Sequence, residues 1–133
     1  MPGRPARFRA PHEKPRALNE RDYELRRGTA ASRGYDARWA RASAGNLRAH
    51  PLCLGCLALG RTVAASLTDH VLPAAAFPAS FWEPGNWQSS CTWHHSAVKQ
   101  QLEAMFAAGT IGADALRLDS AAAVALAREL LGR

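Results

Sequence analysis

The sequence predicts a small α+β domain with a zinc-knuckle frame, flanking helices and a disordered, basic N-terminal arm. Two metal-ligand pairs of equal spacing stand on either side of a central stretch. That stretch opens with residues typical of β-strands, and apolar residues recur at helical intervals before and after it. A domain of 133 residues buries only about two-thirds of the surface of its unfolded chain, so a bound metal would add needed stability.

Positive charge is concentrated in the first 50 residues. They contain 12 of the 17 basic residues and 5 of the 11 acidic ones, which leaves the remainder close to neutral. A basic arm on a neutral body is typical of proteins that bind a polyanion such as nucleic acid. Arginine-rich ends also occur as solvating tails, and charge alone leaves both interpretations open. With no apolar run of about 20 residues and no signal-like N-terminus, we expect a cytoplasmic protein without a membrane partner.

The arm itself predicts little ordered structure. Residues 1–17 are rich in proline and arginine and poor in large apolar side chains, which indicates disorder. Residues 18–27 have the composition of a short charged helix, and residues 28–34 are small and polar, as in a linker. A helix is then predicted after Asp36, a suitable N-cap.

This helix carries Trp39 and Leu47 on one face, and Pro51 ends it. Residues 52–60 contain the first cysteine pair on a turn. Residues 61–72 are rich in threonine, valine and leucine and predict an extended hairpin arm. Residues 73–90 combine prolines, a glycine and aromatic residues, which predicts an ordered loop.

The last part of the chain is predicted to be helical. One helix is expected from Cys91 until Gly109 stops it. A second, Ala121–Leu131, follows a cap at Asp119-Ser120. Its candidate packing positions are Val124, Leu126, Leu130 and Leu131.

The two spaced pairs combine into a Cys₃His ligand set. Cys53-Leu-Gly-Cys56 puts two thiolates on a tight turn, with Gly55 expected to relieve the backbone, and Cys91-Thr-Trp-His94 repeats the spacing at a helix start. Such a closed tetrahedral set is typical of structural zinc. Three buried, reduced cysteines are the alternative, which two equally spaced pairs make weak. Successive helical residues point about 100° apart, so one of His94 and His95 completes the set and the other stays available.

Asp69-His70 and Asn86 lie between these pairs, and His95 follows them. This order resembles the HNH nuclease family, and more closely the small phage-type HNH proteins encoded near DNA-packaging genes. The likeness covers residues 33–106. The matching text is Arg33-Gly-Tyr-Asp-Ala-Arg-Trp39, His50-Pro-Leu-Cys-Leu-Gly-Cys56, Thr68-Asp-His-Val-Leu-Pro73 and Phe81-Trp-Glu-Pro-Gly-Asn-Trp-Gln-Ser-Ser-Cys-Thr-Trp-His-His95.

The resemblance implies a ββα-metal (His-Me finger) fold, in which a hairpin and a helix grip one catalytic divalent ion: Mg²⁺, Mn²⁺, Ni²⁺ or Zn²⁺. It implies Asp69 and His95 as ligands of that ion and His70 as the general base that activates water. It also implies that Asn86 fixes the loop beside His70. An imidazole titrates near neutral pH, and a divalent ion acts as a Lewis acid on phosphate. Because neighbours in a strand face opposite sides, Asp69 and His70 must sit at a strand end or bulge.

The expected function is hydrolysis of phosphodiester bonds in double-stranded DNA, with a phage-type terminase and portal as partners that the resemblance suggests. The expected division is a basic arm (1–32), an HNH nuclease core (33–108) and a C-terminal helical appendage (109–133). A non-catalytic, zinc-stabilised DNA-binding or packaging-assembly module is the alternative, and a zinc-dependent hydrolase of another substrate is more distant. A base beside a metal-binding pair favours the enzyme.

Each candidate residue also has a structural interpretation. Asp69-His70 alone is commonly a surface pair, Asn86 a turn residue and His95 an exposed helix residue. Three basic residues are candidate nucleic-acid contacts, although a solvated helix face explains them as well: Arg38, Arg41 and Lys99. Three tryptophans are expected in the core or over the zinc rather than as base-stacking platforms: Trp82, Trp87 and Trp93.

Overall fold

The computed structural model describes residues 36–132. The predicted arm, the charged helix at 18–27 and the linker at 28–34 lie outside the described residues. Within them the chain is α+β, as predicted. The elements are α1 (Ala37–Ala49), α2 (Leu54–Ala58), β1 (Leu67–His70), β2 (Trp87–Ser90), α3 (Gln100–Ala107) and α4 (Ala121–Leu131). None of the helices in this described part is long and apolar enough to cross a membrane.

The sheet is one antiparallel pair, β1 with β2, in which Asp69 is opposite Gln88 and His70 is opposite Trp87. The hairpin prediction was wrong in detail. Strand structure within 61–72 is confined to β1 apart from one isolated bridge at Ala64, and its partner β2 lies in the stretch predicted as a loop. Strand β2 reads Trp-Gln-Ser-Ser and lacks the β-branched residues that mark strands, because its buried side chains are polar and make hydrogen bonds.

The helix boundaries follow the predicted signals. Helix α1 begins directly after Asp36 and ends before His50-Pro51, and its one buried residue is Trp39. A π-helical turn, His94–Lys99, leads into α3. The run stops at Gly109, whose φ of 78° lies in the left-handed region that favours glycine. The predicted stop after α3 is therefore confirmed.

Helix α4 begins at the predicted cap, where the Ser120 hydroxyl accepts a hydrogen bond of 3.0 Å from the Ala123 amide. Its most buried residues are Ala123 and Ala127, whose small side chains let the helix lie close to the core. The packing role predicted for Leu131 was wrong, because this side chain is 42% exposed.

The hydrophobic core joins the end of β1, the helical segment after Cys91 and the C-terminal residues. Its buried members are Val71, Val98, Leu102, Leu116, Leu118, Ala123 and Ala127. Residues beyond 108 thus complete the same core that carries Val98 and Leu102. The division at residue 108 into a nuclease core and a C-terminal appendage stays a prediction. The hydrophobic core contains residues from both sides of this position.

Replacing Leu116 with alanine tests this dependence on the C-terminal residues. Leu116 is fully buried, so Leu116→Ala should lower the free energy of unfolding by about 2–5 kcal/mol through lost contacts and the cavity left behind. Urea denaturation measures the change. Leu131→Ala is the matched control, because an exposed leucine should cost no more than about 0.5 kcal/mol. Equal, small effects of both variants would contradict a shared core.

Candidate metal centre and active site

Four predicted ligands converge at the start of the helical segment. The Nδ1 atom of His94 lies 3.6, 3.4 and 3.5 Å from the sulfurs of Cys53, Cys56 and Cys91. The sulfurs of Cys56 and Cys91 are 3.8 Å apart, and all four atoms lie within 4.8 Å of one another. A tetrahedral ion with bonds of about 2.3 Å to sulfur and 2.0 Å to nitrogen requires separations of about 3.8 and 3.5 Å. The cluster therefore has the dimensions of a tetrahedral metal site.

The pKa values of two thiols in this cluster also favour a bound cation. Burial opposes ionisation of Cys53, but hydrogen bonds with His94 and the main chain outweigh it and lower the pKa of this thiol to about 6. Burial, together with the nearby sulfurs of Cys53 and Cys91, raises the pKa of Cys56 to about 12. Cys53 and Cys56 thus cannot both ionise near neutral pH unless a positive ion binds their sulfurs.

Gly55 makes room for the His94 ring. A Cβ atom at Gly55 would overlap Cδ2 and Nε2 of His94 and lie 2.8 Å from its Cγ. The predicted role of Gly55 in relieving the backbone was wrong, because its φ is not positive; the residue is needed for its missing side chain. The buried Nε2 atom of His94 has no hydrogen-bond partner within residues 36–132, so the ring is held by packing and through Nδ1.

Asp69 is the centre of a second cluster, on β1. Its Oδ1 atom lies 3.2 Å from Nδ1 of His95, while Oδ2 lies 2.9 Å from Nε2 of Gln88 and 3.0 Å from Nζ of Lys99. Burial alone would raise the pKa of Asp69, but the hydrogen bond with His95, the charge of Lys99 and the Gln88 amide lower it. The same hydrogen bond from Asp69 raises the pKa of His95. The buried carboxyl is therefore an ionised group.

The two adjacent histidines turn to different partners. His94 is buried among the sulfurs, whereas the side chain of His95 is 42% exposed and faces Asp69. Both begin the π-helical turn, a geometry frequent at functional sites. As the sequence indicated, only one of the two rings, that of His94, lies among the sulfurs, and the other lies against a different partner.

His70 ends β1, the strand-end position that the sequence required. Its ring stacks on Trp39 at 4.6 Å between centroids and packs against Phe81 at 4.4 Å. Its Nε2 donates a hydrogen bond of 3.0 Å to the carbonyl oxygen of Phe81. A carbonyl only accepts, so in the neutral ring Nε2 carries the hydrogen and Nδ1 the basic lone pair. Burial lowers the pKa of His70, which favours this neutral form.

Asn86 closes the loop that joins the two strands. Its Oδ1 accepts a hydrogen bond of 2.8 Å from the Leu72 amide, and its Nδ2 donates to the carbonyls of Leu72 and Ser80 at 3.3 and 3.2 Å. Its own carbonyl accepts from the Val71 amide at 2.8 Å. Asn86 thus fixes the chain directly after His70 through these side-chain and main-chain hydrogen bonds.

Lys99 does not fit its predicted contact with nucleic acid, because its side chain is only 1% exposed. Its Nζ donates 2.7 and 2.8 Å hydrogen bonds to the His70 carbonyl and to Oε1 of Glu103, and it pairs with Asp69. The three acceptors match the three donors of an ammonium group. Lys99 and Gln88 are thus residues of the Asp69 site that the sequence reasoning missed, because each contacts Asp69 only through the tertiary fold.

The aromatic residues divide between the core and the surface. Trp93 lies edge-on against the His94 ring at 4.8 Å, as expected of a cover for the metal site, and Trp87 packs on Trp39 at 5.3 Å. The core assignment of Trp82 was wrong, because it is 37% exposed. The guanidinium of Arg38 lies 4.0 Å from the centroid of the Trp82 ring, a cation–π geometry.

A solved structure matches this chain along most of its length. The HNH endonuclease of the deep-sea thermophilic bacteriophage GVE2, crystallised with a manganese ion, gives a TM-score of 0.51 at 18% sequence identity. The match covers 70% of this chain and 99% of that one. No protein-family model and no curated protein matches the sequence. The chain therefore has the HNH endonuclease fold, with a Cys₃His group that could hold a metal ion.

Gly55→Ala tests the Cys₃His site without removing a ligand. The new methyl group would displace the His94 ring, so we expect loss of bound metal, measured per chain by elemental analysis, and a lower melting temperature. Gly45→Ala is the matched control in α1, because its Cβ would meet only Arg48 at 3.7 Å. The control should be neutral or stabilise by up to about 1 kcal/mol. Full metal content in Gly55→Ala would rule out the observed placement of His94.

Proposed function

We propose that this protein is a metal-dependent endonuclease that hydrolyses phosphodiester bonds of DNA. The observation that carries the proposal is the approach of Asp69 Oδ1 to His95 Nδ1 at 3.2 Å, next to a histidine held for proton transfer at the end of β1. These side chains lie on a fold shared with a phage HNH endonuclease. In the Cys₃His site we propose zinc, since thiolate and imidazole ligands in a closed tetrahedral set favour it.

The Asp69 and His95 pair fits a second divalent ion. Two ligand atoms at about 2.1 Å from one octahedral ion, at right angles, are about 3.0 Å apart, close to the observed separation. One ionised carboxylate and one imidazole suit Mg²⁺, Mn²⁺, Ni²⁺ or Zn²⁺. Asp69 and His95 would hold this ion, which would supply a Lewis acid that polarises the phosphate and offsets developing charge.

The chain's own residues supply the proton chemistry. We assign His70 as the general base, which takes a proton from water at Nδ1 while the Phe81 carbonyl holds Nε2. Packing against Trp39 limits rotation of the ring, and burial keeps it neutral at physiological pH by lowering its pKa. We assign Asn86 to loop positioning, because its three side-chain hydrogen bonds keep the chain after His70 in one conformation.

The Arg38–Trp82 pair is the proposed contact with the DNA backbone. Arg38 and Arg41 are exposed on α1, the helix whose Trp39 packs on His70. Trp82 supports the Arg38 guanidinium from one face, which leaves the edge of the guanidinium for bidentate contact with phosphate. Such contacts bind DNA of any sequence with strong dependence on salt.

The biological setting is proposed from the structural neighbour, which is a bacteriophage protein. We propose that double-stranded DNA is the substrate and that the reaction assists phage-type DNA packaging, with a terminase and portal as partners. Co-purification of this protein with a co-expressed phage-type terminase tests this setting. Lack of association would leave the nuclease to act alone.

His70→Ala should reduce cleavage of supercoiled plasmid by about 10²–10⁴-fold in the presence of Mg²⁺, Mn²⁺ or Ni²⁺, because the base is lost. His70→Gln is a second variant that retains a donor for the Phe81 carbonyl. His50→Ala is the matched control, because this exposed histidine lies outside the Asp69 cluster. Zinc content and circular dichroism should be unchanged in all three.

The outcomes separate the nuclease from a non-catalytic module. Metal-dependent nicking by the wild type and His50→Ala, but not by the His70 variants, supports the assigned base. Full activity in His70→Ala would disprove it. A zinc-loaded wild type that binds DNA without nicking it under any of the three metals would favour the DNA-binding or assembly module.

Arg38→Ala and Arg41→Ala should each weaken DNA binding equally across sequences and reduce the slope of log affinity against log salt by about one. Arg48→Ala is the matched control, since Arg48 has the same charge but lies about 15 Å from Arg38 and about 10 Å from Arg41 along α1. Fluorescence anisotropy with a labelled duplex at several salt concentrations measures the slopes. An equal loss in Arg48→Ala would show that only net charge matters.

A further inference from the structure

Gln88 connects the Asp69 carboxylate to the main chain of the C-terminal segment. Its Nε2 donates hydrogen bonds of 2.9 Å to Oδ2 of Asp69 and 3.2 Å to the Leu116 carbonyl. Its Oε1 accepts a hydrogen bond of 2.9 Å from the Leu118 amide. The side chain is only 3% exposed. Every polar atom of this buried amide is therefore committed to a partner.

The orientation of the Gln88 amide is fixed by these partners. The Leu118 N–H can only donate, so it requires the oxygen of the amide, and the Leu116 carbonyl can only accept, so it requires the nitrogen. Exchange of the amide oxygen and nitrogen would therefore break all three hydrogen bonds. Gln88 is also directly opposite Asp69 in the strand pairing, where cross-strand side chains on one face lie close together.

The two oxygens of Asp69 consequently have different surroundings. Oδ2 is bound by the Gln88 amide and by Lys99 Nζ at 3.0 Å. Oδ1 faces His95. Because the carboxylate is anchored through one oxygen, it cannot rotate about its own axis without losing both donors. The remaining oxygen is held beside the imidazole nitrogen.

We propose that Gln88 is a positioning residue for the catalytic divalent ion. It holds Asp69 through Oδ2, so that Oδ1 is presented together with His95 Nδ1, and it is itself held by the main chain at Leu116 and Leu118. This inference rests on the proposed metal-dependent nuclease. It makes the C-terminal segment part of the support for the active site, because Leu116 and Leu118 are fully buried members of the core.

Titration of the zinc-loaded, full-length protein with Mn²⁺ in a calorimeter tests the proposal. The wild type should bind one Mn²⁺ beyond the zinc. Gln88→Met removes the amide at nearly constant size, and Gln88→Asn keeps an amide on β2 that is one methylene too short to reach Asp69. Outer partners of metal ligands contribute about 10–100-fold to metal affinity, so both variants should bind Mn²⁺ more weakly by that factor, with zinc content retained.

Ser89→Ala is the matched control on the same strand. Its hydroxyl donates to the His50 carbonyl at 2.6 Å and is equally buried, but it does not contact Asp69. It should leave Mn²⁺ affinity within about twofold of the wild type while lowering the melting temperature, because the hydrogen bonds of the hydroxyl with the His50 carbonyl and the Asn46 side-chain amide are lost. Cleavage against Mn²⁺ concentration is the second readout, and the Gln88 variants should need more Mn²⁺ for half-maximal rate.

The possible results distinguish this inference from the proposed function. Mn²⁺ binding of wild-type strength in a folded Gln88 variant overturns the positioning role and leaves the nuclease intact. An equal loss of Mn²⁺ affinity in Ser89→Ala also overturns it, because the effect would then come from a loosened strand. A wild type that binds no Mn²⁺ beyond zinc overturns the proposed ion site and this inference together. If Gln88→Met does not fold, Gln88→Asn decides.

Discussion

Three sulfurs and one imidazole nitrogen lie within 4.8 Å of one another, and this close approach fixes the direction of the whole helical segment that follows. Cys53 caps the N-terminus of α2 and Cys56 lies within this helix, while Cys91 and His94 lie where the segment begins. Gly55 admits the His94 ring so closely that a side chain there would overlap it. With His94 turned inward, the next residue of the helical turn must point to a different side. His95 is thereby directed at β1, where Asp69 lies.

The Asp69 cluster then depends on a negative charge that is buried inside the protein. A carboxylate that is 5% exposed would be costly if it had no partners. Lys99 supplies a counter-charge whose three donors are all used, and Gln88 supplies a neutral donor on the same oxygen. Lys99 directly follows Val98 of the core, and Gln88 is hydrogen-bonded to the main chain at Leu116 and Leu118. The apolar packing of the core therefore also positions these polar groups. Core stability and site geometry are consequently linked.

The sequence predicted those parts of the molecule that depend on local chemistry. Ligand spacing, the stop at Gly109 and the cap at Ser120 follow from a few adjacent residues, and they were predictable. Strand β2 was not predictable, because its polar residues form a strand only through contacts made in the folded protein. Gln88 pairs with Asp69 across the sheet and accepts a hydrogen bond from the Leu118 amide. Lys99 was misjudged for the same reason: a lone lysine on a helix predicts a solvated face, and only the tertiary fold puts three acceptors around it.

The Asp69 cluster depends on the Cys₃His cluster more than the Cys₃His cluster depends on it. The Cys₃His site needs α2 and the helix start, and in the proposed holoprotein a structural zinc would contribute about 10–16 kcal/mol of apparent binding energy there. The Asp69 site needs that helix start as well, because His95 is set by its neighbour His94. Asp69 is also held from the other side by Gln88, which is hydrogen-bonded to the main chain at Leu116 and Leu118. In the proposed nuclease, support from two independent directions would keep the ligand atoms Asp69 Oδ1 and His95 Nδ1 in place when a substrate binds the ion.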